Sequence, residues 1–256
     1  MTRRRWIADE VKGNIAALVG EHAAHLSRVL RAQVGQEFDI ATGGAVRRGT
    51  IISIAGDRVE FALGEEITGK PSAHLTLVLS IFKFDRMEWA IEKCTEIGVS
   101  TIIPLIARRT DSHLAAAAGR RRERWQRLAR QASEQARRGG PPEIATPVRF
   151  KELATAVSGS GAPQASPELA GKSCGVGVSD ARIVLAESES DTYLRNVLPP
   201  GASGAVLAIG PEGGWTDEEL RWFCEAGWAA ASLGDTILRA ETAAVVATAL
   251  ALDVLR

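Results

Sequence analysis

The sequence predicts an α/β protein with two domains, and three observations support this prediction. Short apolar runs separated by glycine turns fill the first part of the chain, which is typical of a small barrel or sandwich. From residue 74 onward, apolar runs alternate with helical segments, as in parallel strands joined by crossover helices. Toward the C-terminus, two strands each run into a glycine-bearing loop and a helix. We therefore expect a β-rich domain at residues 1–71 and an α/β domain at residues 72–256.

In the first domain, glycine turns separate three runs that have the composition of strands. These runs cover residues 37–40, 49–54 and 58–63. One helix is expected before them, at residues 22–31.

The α/β domain is expected to begin with a strand, a helix and a second strand. The strands are predicted at residues 75–81 and 101–107, and the helix between them ends at Gly98. A longer helix is predicted at residues 120–138, where the Gly-Gly-Pro-Pro sequence at residues 139–142 stops it.

Two segments have the composition of connections. The alanine-rich residues 114–119 are expected to form a turn, and the Ser/Gly/Ala/Pro-rich residues 157–180 a loop. Further strands are predicted after this loop, at residues 183–186, 206–209 and 229–233.

Helix signals are clear in the last quarter of the chain. Thr216 and Glu219 have the spacing of a capping box, which predicts that a helix starts there. Residues 241–255 form a helical segment that is apolar nearly all round, so we expect it to be buried inside the domain or at a subunit interface.

Composition places the chain among globular proteins. Of its 256 residues, 45% are apolar, which is enough for a substantial core. No apolar run approaches the roughly 18 residues of a membrane span, and no apolar signal sequence follows Met1. We expect a cytoplasmic protein without membrane contact. Three separated cysteines and four scattered histidines give no disulfide or metal pattern, so no metal is expected.

Positive charge is concentrated locally, although the net charge of the chain is zero. Residues 120–138 contain eight arginines and two glutamates. A helical period places Trp125 and Ala129 on the inward face and Arg124, Arg127 and Arg130 on the outward face. Such a surface suits contact with RNA phosphates, and an ordinary solvated helix face is the alternative.

Two glycine loops carry the strongest indication of a ligand site. Residues 210–214 read Gly-Pro-Glu-Gly-Gly after one strand, and Leu233-Gly234 leads into residues 237–239 after another. Glycine lets the backbone approach a ligand closely or take a positive φ. The alternative is that these glycines only make turns between strand and helix. We expect a pocket for a small cofactor between the two loops.

Several motifs together resemble one enzyme family. They are, in sequence order, residues 25–31, Lys83, residues 92–99, Glu134 and Gln135 with Arg138, residues 209–214 and residues 233–242. Over nearly the whole chain, the sequence resembles the bacterial 16S ribosomal RNA uridine-N3 methyltransferases of the SPOUT superfamily. The resemblance implies a PUA-like N-terminal barrel, a C-terminal SPOUT domain with a trefoil knot, a homodimer and S-adenosylmethionine as cofactor. It implies 16S ribosomal RNA in the small subunit as substrate.

The implied reaction needs two kinds of residue. Uridine N3 becomes nucleophilic only when its proton leaves, so the site must accept a proton and stabilise negative charge on the base. Arg239 and Arg138 are the candidates for holding the uracil oxygens and a phosphate, although Arg239 could instead pair with Glu241. Arginine is no practical base, so the proton would go to water, Glu212 or Glu134.

The resemblance also implies the binding residues. The expected catalytic residues are Arg239, Arg138 and Glu212. The expected cofactor-binding residues are Leu185, Ala186, Ile209, Gly210, Pro211, Glu212, Gly213, Gly214, Leu233, Gly234, Ile237, Leu238 and Arg239. The expected RNA-binding residues are Arg4, Arg28, Arg31, Arg124, Arg127, Gln135 and Arg138.

Two other functions fit parts of the same pattern. One is a methyltransferase of the same superfamily that acts on a ribose 2′-hydroxyl of transfer RNA. The other is a ribosome-assembly factor that binds RNA without catalysis and whose cofactor loops are vestigial. The order of the motifs favours the uridine-N3 enzyme, and a lack of S-adenosylmethionine binding would indicate the assembly factor.

Overall fold

The structure is a computed structural model that describes residues 5–43, 45–67, 73–159, 181–189, 191–199 and 202–255. The chain divides into two compact units. The first consists of residues 1–71 and 130–141, and the second consists of residues 72–129 and 142–256. Residues 130–141, which the sequence analysis placed in the α/β domain, thus pack with the first unit. Among the helices of the described ranges, none is long and apolar enough to span a membrane.

The first unit contains a six-stranded sheet in the order β1-β4-β5-β6-β3-β2. Its strands are β1 (Arg5–Ile7), β2 (Glu10–Lys12), β3 (Ile15–Val19), β4 (Glu37–Ala41), β5 (Val46–Ala55) and β6 (Arg58–Glu66). The β1 and β4 strands are parallel, and the other pairs are antiparallel. Helix α1 (Glu21–Ala24) continues into a π-helical turn at His25–Val29. The three strands and the helix predicted here are confirmed, whereas β1, β2 and β3 were missed.

The second unit is a mixed α/β structure around a parallel sheet. The strands are β7 (His74–Ser80), β8 (Thr101–Ile106), β9 (Glu143–Ile144), β10 (Val148–Arg149), β11 (Ala181–Leu185), β12 (Gly204–Ile209) and β13 (Ala229–Ala231). Their order is β10-β8-β7-β12-β11-β13, and β9 also pairs with β8. Every pair is parallel. The carboxyl ends of these strands therefore meet at one edge of the sheet, where open α/β sheets bind ligands.

Helices connect these strands and cover the sheet. They are α2 (Phe84–Ile97), α3 (Ser112–Gln135), α4 (Leu153–Gly159), α5 (Leu194–Val197), α6 (Asp217–Glu225) and α7 (Ala240–Leu255). The capping box predicted at the start of α6 is present, because the Thr216 and Glu219 side chains bond each other's backbone N–H. The predicted loop at residues 157–180 is partly helix, since α4 extends to Gly159. Its residues 160–180 lie outside the described ranges.

Helix α3 begins at Ser112, so the turn predicted at residues 114–119 is wrong. The carboxylate of Asp111 accepts hydrogen bonds from the N–H groups of His113 (2.8 Å) and Leu114 (3.3 Å), which caps the helix start. Four consecutive alanines follow, and alanine is the strongest helix former. The alanine run therefore extends the arginine-rich helix rather than interrupting the chain.

The C-terminal helix α7 packs against α2. The Thr248 hydroxyl lies 3.4 Å from the sulfur of Cys94, and both side chains are buried. Burial raises the pKa of the Cys94 thiol to about 12, so this cysteine stays protonated at neutral pH. The helix is not covered all round, because Leu250 is 37% exposed. On α2, Trp89 is 46% exposed.

Candidate cofactor site

A cavity of about 580 Å³ lies at the carboxyl ends of β11, β12 and β13. Every residue that was predicted to bind the cofactor lines it. They come from Leu185 and Ala186 at the end of β11, from residues 209–214 at the end of β12 and just beyond it, and from residues 233–239 after β13. Three sequence segments thus meet around one space because their strands are neighbours in a parallel sheet.

Packing and backbone conformation explain why two positions of the loop at residues 210–214 are glycines. A Cβ atom on Gly210 would lie 3.2 Å from Nε1 of Trp215, which is tighter than most real contacts. The buried Trp215 indole in turn donates a hydrogen bond to the Leu185 carbonyl (2.9 Å) and so ties the loop to the end of β11. Gly214 has a φ of +70°, where glycine is favoured. Gly210 and Gly214 therefore serve the turn between strand and helix, and the loop that contains them also lines the cavity.

Two arginines that were not among the predicted site residues hold this loop. Arg109 donates a hydrogen bond from Nη1 to the Gly213 carbonyl (2.7 Å). Arg86 donates one from Nη1 to Oε1 of Glu212 (2.8 Å). Both arginines line the cavity and lie more than a hundred positions before the loop, so no local pattern could have paired them with it.

Arg239 lines the cavity and is exposed, and its side chain does not pair with Glu241, the predicted alternative partner. The Glu241 carboxylate lies 3.8 Å from Nε of Arg86 instead. Within the described ranges, no carboxylate pairs with Arg239. A cation that is not neutralised inside the protein is available to an anionic or polar ligand.

Two further polar groups at the cavity are suited to a small ligand. The Ser232 hydroxyl is buried and has no hydrogen-bond partner among the described residues. A buried polar atom without a partner is costly, so a ligand that bonds to it would be favoured. The Asp235 carboxylate also lines the cavity, where it accepts a hydrogen bond from the Tyr193 hydroxyl (3.0 Å).

The cavity does not include Arg138 or Glu134. Both belong to the first compact unit. Glu134 accepts a hydrogen bond from Arg130 (3.3 Å). Arg138 is partly buried, and this burial lowers the pKa of its guanidinium. Of the residues considered for the chemistry, the structure places Arg239 and Glu212 at the cavity.

The residues predicted to bind RNA are mostly exposed. Arg28 and Arg31 are exposed on the first unit, and Arg127 and Gln135 are exposed on α3. Arg124 is exposed as well, and its Nε donates to Oε1 of Glu88 (2.7 Å). Arg4 lies outside the described residues.

Other arginines of α3 take part in internal contacts. Arg122 donates to the Ile144 carbonyl (3.0 Å). The prediction that Arg130 points outward is wrong. Its guanidinium is partly buried and bonds the Asp9 carboxylate (2.7 Å) and the Ile7 carbonyl (2.9 Å). Part of the arginine-rich pattern thus serves the fold, because these guanidinium groups satisfy carbonyl and carboxylate acceptors.

A buried carboxylate joins the loop after β8 to the start of α6. Glu219 is only 2% exposed. It accepts hydrogen bonds from the N–H of Arg108 (2.8 Å), the N–H of Thr216 (2.9 Å) and the Thr216 hydroxyl (3.0 Å). These bonds fix the residues just before Arg109 and just after the glycine loop.

Replacing Glu219 by alanine should lower the free energy of unfolding by about 2–4 kcal/mol, because the capping box loses its glutamate and three partly buried donors lose their acceptor. Urea denaturation would measure this change. Glu218→Ala is the matched control, since the Glu218 side chain is 72% exposed and its ion pair with Arg108 contributes little. Equal losses in the two variants would contradict the proposed role of Glu219.

No group of three or more potential metal ligands gathers in the part of the chain that the structure describes.

Several known proteins are similar to this chain in sequence and fold. A family model described as an RNA methyltransferase domain matches residues 69–252. The ribosomal RNA small subunit methyltransferase E of Synechocystis is 32% identical over 226 residues, which cover 88% of this chain and 68% of that protein.

Two solved structures are similar over almost the full chain. The ribosomal RNA small subunit methyltransferase E of Neisseria gonorrhoeae, bound to S-adenosyl methionine, is 26% identical with a TM-score of 0.76, covering 97% of this chain and 96% of that one. A methyltransferase of Legionella pneumophila in complex with the cofactor SAM is 25% identical with a TM-score of 0.76, covering 99% and 98%. This chain belongs to the RNA methyltransferase family and groups with the ribosomal RNA small subunit methyltransferases E.

Proposed function

We propose that this protein transfers a methyl group from S-adenosylmethionine to N3 of a uridine in 16S ribosomal RNA. The observation that carries the proposal is the cavity at the carboxyl ends of three parallel strands, which all the predicted cofactor residues line. The two similar solved structures hold S-adenosylmethionine, and relatives that cover most of this chain are named for the small ribosomal subunit. A cytoplasmic location follows from this substrate.

The residues around the cavity fit S-adenosylmethionine. A volume of about 580 Å³ lies within the range of small-molecule sites. Leu185, Ile209 and Leu238 offer apolar surface for the adenine ring, and the unpartnered Ser232 hydroxyl and the Asp235 carboxylate offer bonds to polar groups. When bound, the cofactor supplies an electrophilic methyl group.

Arg239 and Glu212 are the residues we assign to the acceptor base. The Arg239 guanidinium would stabilise negative charge on the uracil oxygens as N3 loses its proton. Glu212 would accept this proton directly or through a water molecule. Arg86 holds the Glu212 carboxylate in place, and Arg109 holds the backbone one residue further on.

The first unit is proposed to be a PUA-like domain that binds RNA. Its sheet supports this proposal, because β1 and β2 are joined only by Ala8 and Asp9 yet end the strand order at opposite edges. Such a short connection requires the sheet to curl toward a barrel. Arg28 and Arg31 would contact RNA from this unit, and Arg124, Arg127, Gln135 and Arg138 would do so from α3 and the segment after it.

The second unit is proposed to be a SPOUT domain with a trefoil knot that forms a homodimer. The extent of the similarity to the solved methyltransferases supports the fold assignment. The exposed apolar side chains of Trp89 on α2 and Leu250 on α7 support the dimer, since these two helices pack together and large apolar groups favour an interface.

Methylation of ribosomal RNA in vitro would test the proposed function. The substrates would be 16S ribosomal RNA and small subunits from cells that lack this gene, with transfer RNA as the comparison. After incubation with the protein and labelled S-adenosylmethionine, digestion and mass spectrometry should give 3-methyluridine from one position in 16S ribosomal RNA. A methyl group on a ribose oxygen, or transfer to transfer RNA alone, would contradict the proposal. A lack of S-adenosylmethionine binding in calorimetry would support the assembly factor instead.

A further inference from the structure

A second cavity, of about 990 Å³, lies in the same unit at the carboxyl ends of β8 and β10. We call it the flanking cavity, and it is lined chiefly by Arg108, Arg149, Phe150, Lys151, Glu218 and Trp222. Chain neighbours place it beside the cofactor cavity. Arg108 and Glu218 line the flanking cavity, whereas Arg109 and Asp217 line the cofactor cavity. An RNA strand with one base at the cofactor cavity therefore passes close to the flanking one.

Aromatic rings form part of the wall of the flanking cavity. Phe150 and Trp222 are both partly exposed, and their ring centroids lie 5.1 Å apart at an interplanar angle of 70°. Behind them, Phe223 is buried and packs edge to face on both rings. A partly exposed indole on a rigid aromatic base is a suitable surface for a nucleobase to stack on.

The flanking cavity also carries a net positive charge, because Arg108, Arg149 and Lys151 line it together with two carboxylates, Glu218 and Glu219. The side chains of Arg149 and Lys151 are exposed and pair with no carboxylate in the described ranges. Arg108 does pair with Glu218 (3.3 Å), but the two side chains are 68% and 72% exposed, so a phosphate could displace this weak pair.

We propose that the flanking cavity binds a nucleotide next to the methylated uridine in the RNA strand. The base of this nucleotide stacks on Trp222, and Arg149 and Lys151 hold its phosphate. An enzyme that modifies a base edge must take the base out of its stack, which leaves neighbouring bases unstacked and free to bind elsewhere. Aromatic surface combined with cations is the chemistry that recognises such single-stranded nucleotides. This inference rests on the proposed function and adds a second RNA contact to it.

The salt dependence of RNA binding tests the phosphate contacts. In the double variant Arg149→Gln/Lys151→Gln, the slope of log affinity for 16S ribosomal RNA against log salt should fall by about two units, one for each cation. The control is Arg195→Gln/Arg221→Gln, which removes the same charge from exposed residues that line neither cavity. An unchanged slope, or an equal change in the control, would overturn the inference. Affinity for S-adenosylmethionine should be the same in all these proteins.

Substitutions at Trp222 test the stacking contact. Trp222→Ala should raise the KM for RNA roughly tenfold, whereas Trp222→Phe, which keeps a flat ring, should restore most of the affinity. Equal KM values for the alanine and phenylalanine variants at unchanged melting temperature would contradict stacking. The salt measurement needs only RNA binding and not methyl transfer. The two proposals can therefore fail separately. The binding measurement tests the flanking cavity, and the methylation assay with the wild-type protein tests the proposed function.

Discussion

Replacing Arg239 by alanine is expected to slow methyl transfer to RNA about 10²–10³-fold. Arg239 lines the cofactor cavity, its side chain is exposed, and within the described ranges it forms no ion pair. It is therefore free to stabilise the charge that develops on the uracil oxygens when N3 loses its proton. A single-turnover assay with labelled S-adenosylmethionine and saturating RNA would measure this rate without a contribution from RNA affinity.

Two further variants make the Arg239 prediction specific. Arg239→Lys keeps the charge but loses the planar pair of donors, so it should restore only part of the rate. Arg221→Ala removes an exposed arginine that does not line the cavity, so its rate should equal that of the wild type. If Arg239→Ala transferred the methyl group at the wild-type rate, this residue would have no role in the reaction.

Replacing Gly234 by alanine is expected to weaken S-adenosylmethionine binding about tenfold or more. Gly234 has a φ of +142°, a conformation that costs a residue with a side chain roughly 1–3 kcal/mol. An added Cβ would meet no atom within 4 Å, so the effect would come from the backbone and not from a clash. The loop would relax toward an ordinary conformation and withdraw its backbone groups from the cavity. Calorimetric titration would measure the change, since about 1.4 kcal/mol corresponds to a tenfold difference in Kd.

Gly227 provides the matched control for Gly234. It has a φ of +75°, and an added Cβ would again meet nothing within 4 Å. It follows α6 and does not line the cavity. Gly227→Ala should therefore lower the melting temperature but leave the cofactor Kd unchanged. An equal rise of Kd in both variants would indicate that general destabilisation, and not the loop after β13, causes the loss.

The hydrophobic pattern predicted five of the parallel strands, β7, β8, β11, β12 and β13, because they are apolar runs in the centre of the domain, whereas β9 and β10 were missed because each has only two residues. All six residues of β12 are buried, and such a run is hard to mistake for a loop. The strands β1 and β2 were missed because each has only three residues, and all three residues of β2 are exposed. The start of α3 was missed because the alanine run was interpreted as a turn, although Asp111 offered a helix cap.

The site could be predicted in part for similar reasons. The glycine loops and their strands are local in sequence, and both loops line the cavity. Arg86 and Arg109 reach the loop at residues 210–214 through contacts across more than a hundred positions, which no local pattern contains. Glu241 was considered as a partner of Arg239 because the two are close in sequence. Its observed partner, Arg86, comes from α2.

A crystal structure of this protein with S-adenosylmethionine would test the assignment of the cofactor site most directly. We expect the cofactor to lie between residues 209–214 and 233–239, with its methyl group directed toward the space that Arg239 and Glu212 line. A cofactor bound elsewhere, or a cavity filled by the protein's own side chains, would contradict the assignment.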